Sequence, residues 1–92
     1  MILNYKSKPL ELFATKGKQQ KLNQRHIKTI EIILTALDTA TCTKDFDLPG
    51  KNLHAFKEKK PKVWSLDVSG NWRITFEFDG KDIHNVDYLD TH

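Results

Sequence analysis

The chain has 92 residues, of which 15 are Lys or Arg, 12 are Asp or Glu and 38% are hydrophobic. This length predicts a single domain over residues 1–92 with one modest core, and it excludes the large nucleotide-binding folds. Apolar runs reach only three residues, far short of the ~20 that a membrane span needs, so we expect a cytoplasmic protein without a membrane partner. A lone Cys42 excludes a disulfide framework and a zinc ribbon.

The charges are unevenly distributed along the chain. Residues 1–62 carry 13 basic and 6 acidic side chains (+7), and residues 63–92 carry 2 basic and 6 acidic side chains (−4), which together give the net charge of +3. Clustered Lys and Arg favour a polyanionic partner such as nucleic acid, because contacts to phosphates release condensed counterions. Charge alone leaves a merely solvated surface as the alternative.

The first half of the chain predicts two helices. A short apolar piece at residues 2–5 precedes Ser7 and Pro9, which are typical of a helix start, and Gly17 ends that helix. A longer helix begins at about Asn23. Its apolar side chains recur at spacings of three and four residues: Ile27, Ile30, Leu34 and Leu37, widened by Ile33 and Ala36. Residues 41–52 then form a loop.

The second half changes to a period of two residues. Apolar side chains alternate with polar ones at Trp64, Leu66 and Val68, and again at Trp72, Ile74, Phe76 and Phe78. Gly70-Asn71 and Asp79-Gly80 predict two-residue turns, so residues 63–88 should form an antiparallel meander, with residues 52–56 a candidate for a further short strand. The prediction is an α+β fold in which two N-terminal helices pack on this meander.

This arrangement predicts an open face on the sheet. If the helices cover the side that carries the tryptophans, Arg73 and Thr75 lie on the opposite side. An open sheet face with one Arg is a plausible surface for an anion. Arg73 could instead pair with Asp67 or Glu77, a contact worth only ~0.2–1 kcal/mol.

Few side chains remain for catalysis, since the chain contains no P-loop, no Gly-x-Ser-x-Gly and no His-Glu-x-x-His. Metal-independent cleavage of RNA needs a base for the 2′-hydroxyl, an acid for the leaving 5′-oxygen and cations for the charge on phosphorus. The combination that supplies these groups is His54, Lys57, Arg73, Asp90 and His92. Histidine titrates near neutral pH, Lys and Arg stabilise anionic charge, and a carboxylate can orient an imidazole.

The alternatives to this chemistry are structural. His26 and His84 are interpreted as surface residues, and the lysine-rich stretch at residues 57–62 could be a solvated loop. A metal site lacks any recognisable ligand spacing, so no metal or cofactor is expected.

The sequence resembles a known family over nearly its whole length. The resemblance is carried by residues 36–40, by residues 53–57 (Leu-His-Ala-Phe-Lys), by the block at residues 63–78 and by the tail Asp90-Thr91-His92. The block matches the pattern W-S-x-x-V-x-x-N-W-R-I-T-F. This pattern is typical of the HigB branch of the RelE/ParE superfamily, the toxins of bacterial toxin–antitoxin pairs.

The resemblance implies a RelE-like fold and a specific activity. Members of this branch enter the A site of the small ribosomal subunit, cut translated mRNA without a metal and are neutralised by a cognate antitoxin. Carried over by position, the catalytic roles fall on His54, Lys57, Arg73, Asp90 and His92. We expect Lys59, Lys60, Lys62 and Thr91 to contact the RNA. The family tail usually has Tyr where Thr91 stands, which predicts a weaker or altered activity.

Two other functions remain open at this point. ParE-like relatives inhibit a protein target such as gyrase without catalysis, and a fold alone does not fix a function. A catalytically weakened homologue that only binds antitoxin is the other possibility, and Thr91 is the feature that raises it.

Overall fold

The first helix has the bounds that the sequence predicts. In this computed structural model, which describes residues 1–56 and 62–91, helix α1 spans Lys8–Lys16. The Ser7 hydroxyl accepts a hydrogen bond from the amide of Leu10 at 3.3 Å and so caps the helix. Gly17 ends it with a left-handed φ of 68°, which a residue without a Cβ adopts at little cost.

The second helix, α2, spans Ile27–Thr39 and is preceded by a 3₁₀ turn at Gln24–His26. The predicted start near Asn23 therefore corresponds to this 3₁₀ turn, because the Asn23 side chain accepts from the Arg25 amide and caps it. The predicted stripe is confirmed by four buried side chains: Ile30, Ile33, Leu34 and Leu37.

The predicted loop at residues 41–52 contains structure that the sequence did not indicate. A second 3₁₀ turn spans Thr43–Phe46, and the Phe46 side chain is fully buried. Its ring meets those of Trp64, Phe76 and Phe78 edge to face, at centroid distances of 5.6, 5.0 and 5.3 Å. Phe46 thus closes the core at one end of the sheet.

The sheet has four antiparallel strands in the order β1-β2-β3-β4. They span His54–Phe56, Val63–Ser69, Trp72–Phe78 and Ile83–Asp90, which confirms both the meander and the further short strand. The turn at Gly70-Asn71 has two residues as predicted. The turn at residues 79–82 has four, contrary to prediction, because the Asp79 carboxylate accepts the amides of Lys81 and Asp82 and stabilises a wider turn.

The N-terminal segment extends the sheet on its far side. Ile2 and Tyr5 bridge to Ile83 and Val86 of β4 in parallel orientation. The amide of Leu3 donates to the Ile83 carbonyl at 2.8 Å, and the amide of Ile83 donates to the Met1 carbonyl at 2.9 Å. The predicted apolar piece at residues 2–5 therefore covers an edge of the sheet that would otherwise be exposed.

One face of the sheet packs on the helices and the other is open. The helix-covered face contributes the buried residues Leu66, Val68, Ile74, Phe76, Ile83 and Val86. Alternation along β2 and β3 turns Asp67, Arg73 and Thr75 to the opposite face, as predicted. The α+β architecture is thereby confirmed. In residues 1–56 and 62–91 no helix has the length and apolarity to cross a bilayer.

Candidate functional site

The open face brings two of the predicted catalytic residues together. Strand register pairs His54 with Ser65, and Ser65 in turn with Thr75. The next row on this face pairs Asp67 with Arg73. His54 and Arg73 therefore share a face, two strands apart, which corresponds to about 10 Å across the sheet. This spacing leaves room for a phosphodiester between an imidazole and the long guanidinium side chain.

Arg73 is held in place by its own hairpin. Its Nε forms an ion pair with Asp67 Oδ1 at 2.8 Å, and its Nη1 donates to the carbonyls of Gly70 and Trp72 at 2.7 and 3.1 Å. The pairing with Asp67 that the sequence left open is therefore present. Arg73 is only partly exposed, so these contacts fix the orientation of its guanidinium group. Nη2 forms no hydrogen bond within the described ranges and remains available to donate to an anion.

Two hydrogen bonds and an ion pair connect His54 to Arg73. The His54 Nδ1 lies 3.4 Å from the carbonyl oxygen of Asn52. The Asn52 amide Nδ2 donates to Asp67 Oδ2 at 2.9 Å, and the other oxygen of that carboxylate forms the ion pair with Arg73. Asn52 adopts a left-handed φ of 49°, a conformation that Asn tolerates better than most residues. Asn52 and Asp67 thus join the two candidate residues.

The contact with the Asn52 carbonyl also selects a tautomer for the exposed His54. A carbonyl oxygen can only accept, so the hydrogen on the neutral ring is assigned to Nδ1. The lone pair then lies on Nε2, where it is available for proton transfer. The Phe56 ring lies on the same face of β1, with its centroid 5.2 Å from that of the imidazole and its plane inclined by 75°. It restricts the rotation of the His54 side chain.

The tail reaches the same end of the sheet from β4. Thr91 donates its amide and its hydroxyl to the Asn71 carbonyl, both at 2.9 Å. The Gly70-Asn71 turn therefore anchors Thr91 and Arg73 alike. The strand register pairs Asp90 with Trp72, so Asp90 lies on the helix-covered side of the sheet. Asp90 is the last residue of β4 and is exposed. Asp90 thus lies at the same end of the sheet as Arg73 but does not share the face of His54.

Of the remaining predicted catalytic and RNA-binding residues, only Lys62 lies within the described part of the chain. The Lys62 ammonium lies over the Trp64 ring, 5.4 Å from its centroid, and the residue is exposed. Lys57, Lys59, Lys60 and His92 lie outside the described residues.

The interpretation of His26 as a surface residue is wrong. His26 is 6% exposed, and its Nδ1 lies 2.7 Å from the Tyr88 hydroxyl. Burial raises the pKa of Tyr88 above its usual range, so this phenol stays protonated near neutral pH. The rings of Trp72 and Tyr88 stack with their centroids 4.6 Å apart, and the His26 ring packs against both of them in a T-shaped arrangement. His84 is half-buried and pairs with Asp79 at 2.6 Å.

Comparison with known proteins identifies the family. Residues 3–92 match the HigB-like toxin family, described as RelE-like toxin of type II toxin-antitoxin system HigB. The chain belongs to this family of HigB-like toxins. A relative from Proteus vulgaris, named Endoribonuclease HigB, is 35% identical over 92 residues, which cover 100% of both chains. The resemblance inferred from the sequence is confirmed, and a toxin of a type II system has an antitoxin as its partner.

In this HigB-like toxin, Asn52 and Ser65 near the candidate site were not predicted, and Asp67 was expected only as a partner of Arg73. Asn52 and Asp67 meet across 15 positions of the sequence, and no local pattern indicates such a contact. Ser65 is fully buried between His54 and Thr75, and its hydroxyl has no partner among residues 1–56 and 62–91. The same part of the chain contains no group of three His, Cys, Asp or Glu placed to hold a metal ion.

Proposed function

We propose that this toxin is an endoribonuclease that cuts translated mRNA in the A site of the small ribosomal subunit, in the cytoplasm, until its antitoxin neutralises it. The observation that carries the proposal is the placement of His54 and Arg73 on one open sheet face, joined through Asn52 and Asp67. The name of the Proteus vulgaris relative supports the reaction type.

The proposed chemistry needs only side chains of this protein. A base removes the proton of a 2′-hydroxyl, the 2′-oxygen attacks the adjacent phosphorus, and the bond to the 5′-oxygen breaks as an acid protonates that oxygen. The products are a 2′,3′-cyclic phosphate and a free 5′-hydroxyl. His54, through Nε2, performs one of the two proton transfers and His92 performs the other. Arg73 and Lys57 stabilise the charge on the phosphoryl oxygens, and Asp90 orients the imidazole of the tail.

The ribosome supplies what the isolated site lacks. The open face is solvent-exposed at His54, so by itself it binds a single-stranded messenger only weakly. A messenger fixed in the A site arrives in one conformation, which lowers the entropic cost of aligning the 2′-oxygen with phosphorus. Lys59, Lys60, Lys62 and Thr91 then contact the RNA.

The test is cleavage of a defined message on programmed ribosomes. His54→Ala, Arg73→Ala and His92→Ala should each lower the cutting rate at least tenfold without unfolding the protein. His84→Ala is the matched control, since His84 lies on the same face but pairs with Asp79. Cutting at the wild-type rate by both His54→Ala and His92→Ala would refute the proposal, as would stabilisation of gyrase–DNA complexes by a protein that leaves translation intact.

A further inference from the structure

The connection between α1 and α2 is strongly basic and lies away from the residues assigned above. Residues 16–28, here called the basic segment, carry five cations and no carboxylate. Because the net charge of the chain is +3, the other 79 residues sum to −2 (3 − 5). The five are exposed, and none forms an ion pair with a carboxylate of the described residues: Lys16, Lys18, Lys21, Arg25 and Lys28.

The basic segment is an ordered surface. The Gln24 amide Nε2 donates to the carbonyls of Gln19 and Leu22, at 2.8 and 3.1 Å. Leu22 is 5% exposed and anchors the middle of the segment in the core. Asn23 caps the 3₁₀ turn that follows. Cations on a fixed backbone lose less conformational freedom on binding than cations on a flexible linker.

Two hollows open on the surface of the basic segment. One, of about 310 Å³, is lined by Lys18, Lys21 and Gln20 together with Pro9 and Leu12. The other, of about 390 Å³, is lined by Gln19, Gln20, Gln24 and Gly17. Ammonium groups bind phosphate oxygens, and carboxamides both donate to and accept from ribose hydroxyls and base edges. This combination fits RNA better than it fits an acidic protein, which offers carboxylates but no ribose.

The basic segment is attached to the end of the sheet that carries the candidate site. His26, which follows Arg25 directly, contacts Tyr88 at 2.7 Å and packs edge-on against Trp72. Trp72 is the register partner of Asp90, and the turn before it anchors Thr91 and Arg73. His26 lies on the helix-covered face and the candidate site on the opposite one, so a polyanion that presents a strand to the site reaches the basic segment by passing round this end of the sheet.

We propose that the basic segment binds the phosphate backbone of structured RNA, which, on the proposed function, is the ribosomal RNA that surrounds the messenger being cut. The inference rests on that function. The ribosomal RNA is bound by Lys18, Lys21 and Arg25, and the messenger is bound by the open face.

The experiment measures the affinity of the full chain for vacant ribosomes in a His54→Ala background, where cutting does not interfere. The test variant carries Lys18→Gln, Lys21→Gln and Arg25→Gln. The control carries Lys6→Gln, Lys44→Gln and Lys81→Gln, three exposed lysines without ion pairs in the described residues, so both lose the same net charge. Equal melting temperatures establish that both variants fold.

The test variant should bind at least tenfold more weakly than the control. Its plot of log affinity against log salt should be less steep by about 2 to 3, which is 0.7–0.9 for each of three lost phosphate contacts. In the active background its KM for programmed ribosomes should rise while kcat stays within twofold. Equal binding by test and control variants, or a loss seen with a single-stranded oligonucleotide instead of ribosomes, would overturn the inference. If the wild type itself neither binds nor cuts on ribosomes, the proposed function falls with it.

Discussion

The bond between Asn52 and Asp67 gives the sharpest test of how the candidate site is held. Asn52→Gly removes the amide that donates to the Asp67 carboxylate at 2.9 Å, and it keeps the left-handed φ of 49° accessible. A hydrogen bond of this kind contributes about 1 kcal/mol when partly exposed. If that energy orients Arg73 against the substrate, kcat/KM for cutting should fall by about fivefold.

The chain provides a matched control for this substitution. Asn85 also has a left-handed φ, of 53°, and its amide also donates to a carboxylate, that of Glu77 at 2.9 Å. Asn85→Gly should cost at least as much free energy of unfolding, since Asn85 also exchanges hydrogen bonds with Asn4. Urea denaturation and cutting on programmed ribosomes should be measured for both variants. Equal losses of cutting would refute the idea that the Asn52 bond acts on the site and would leave only a general effect of stability.

Three further predictions concern the core, the pH dependence and the tail. Phe46→Ala should lower the free energy of unfolding by about 3–5 kcal/mol, measured by urea denaturation, because a fully buried ring with three aromatic neighbours is lost; a loss below about 1 kcal/mol would contradict the packing described. The amide of Asp82, the His84 ring and the amide of Lys81 hold the pKa of Asp79 well below its usual range. The stabilisation of the folded state by the ionised Asp79 is therefore complete above about pH 5 and is lost as the pH falls further, so the difference in stability between wild type and Asp79→Asn should shrink between about pH 5 and pH 2; a constant difference would contradict this. Thr91→Tyr should raise the cutting rate or change the cut sites, since an aromatic ring stacks on a base with ~1–3 kcal/mol, and no change in either would show that Thr91 is not limiting.

Local sequence patterns predicted the elements whose causes are themselves local. Ser7 and Gly17 marked the ends of α1 because capping depends on the residue at the cap. Alternation placed Arg73 on the open face because the period of a strand is two. The wide turn at residues 79–82 was missed because Asp79-Gly80 also suits a two-residue turn, and only the side-chain bonds of Asp79 distinguish the two.

Features that depend on distant contacts were not predictable in this way. Phe46 is flanked by Asp45 and Asp47, and its burial follows from three rings on β2 and β3. His26 is buried because Tyr88, 62 positions later, supplies a partner for its ring nitrogen. The link from His54 to Arg73 likewise needs the register of β1, a strand of only three residues.

The most direct test of the central claim is a map of mRNA 5′ ends in cells that lack the antitoxin. The wild-type chain and His54→Ala should be induced separately and the ends compared on translated messages. We expect cuts in phase with the reading frame for the wild type and their loss in the variant. Growth arrest without such cuts, or the same cuts from His54→Ala, would contradict it.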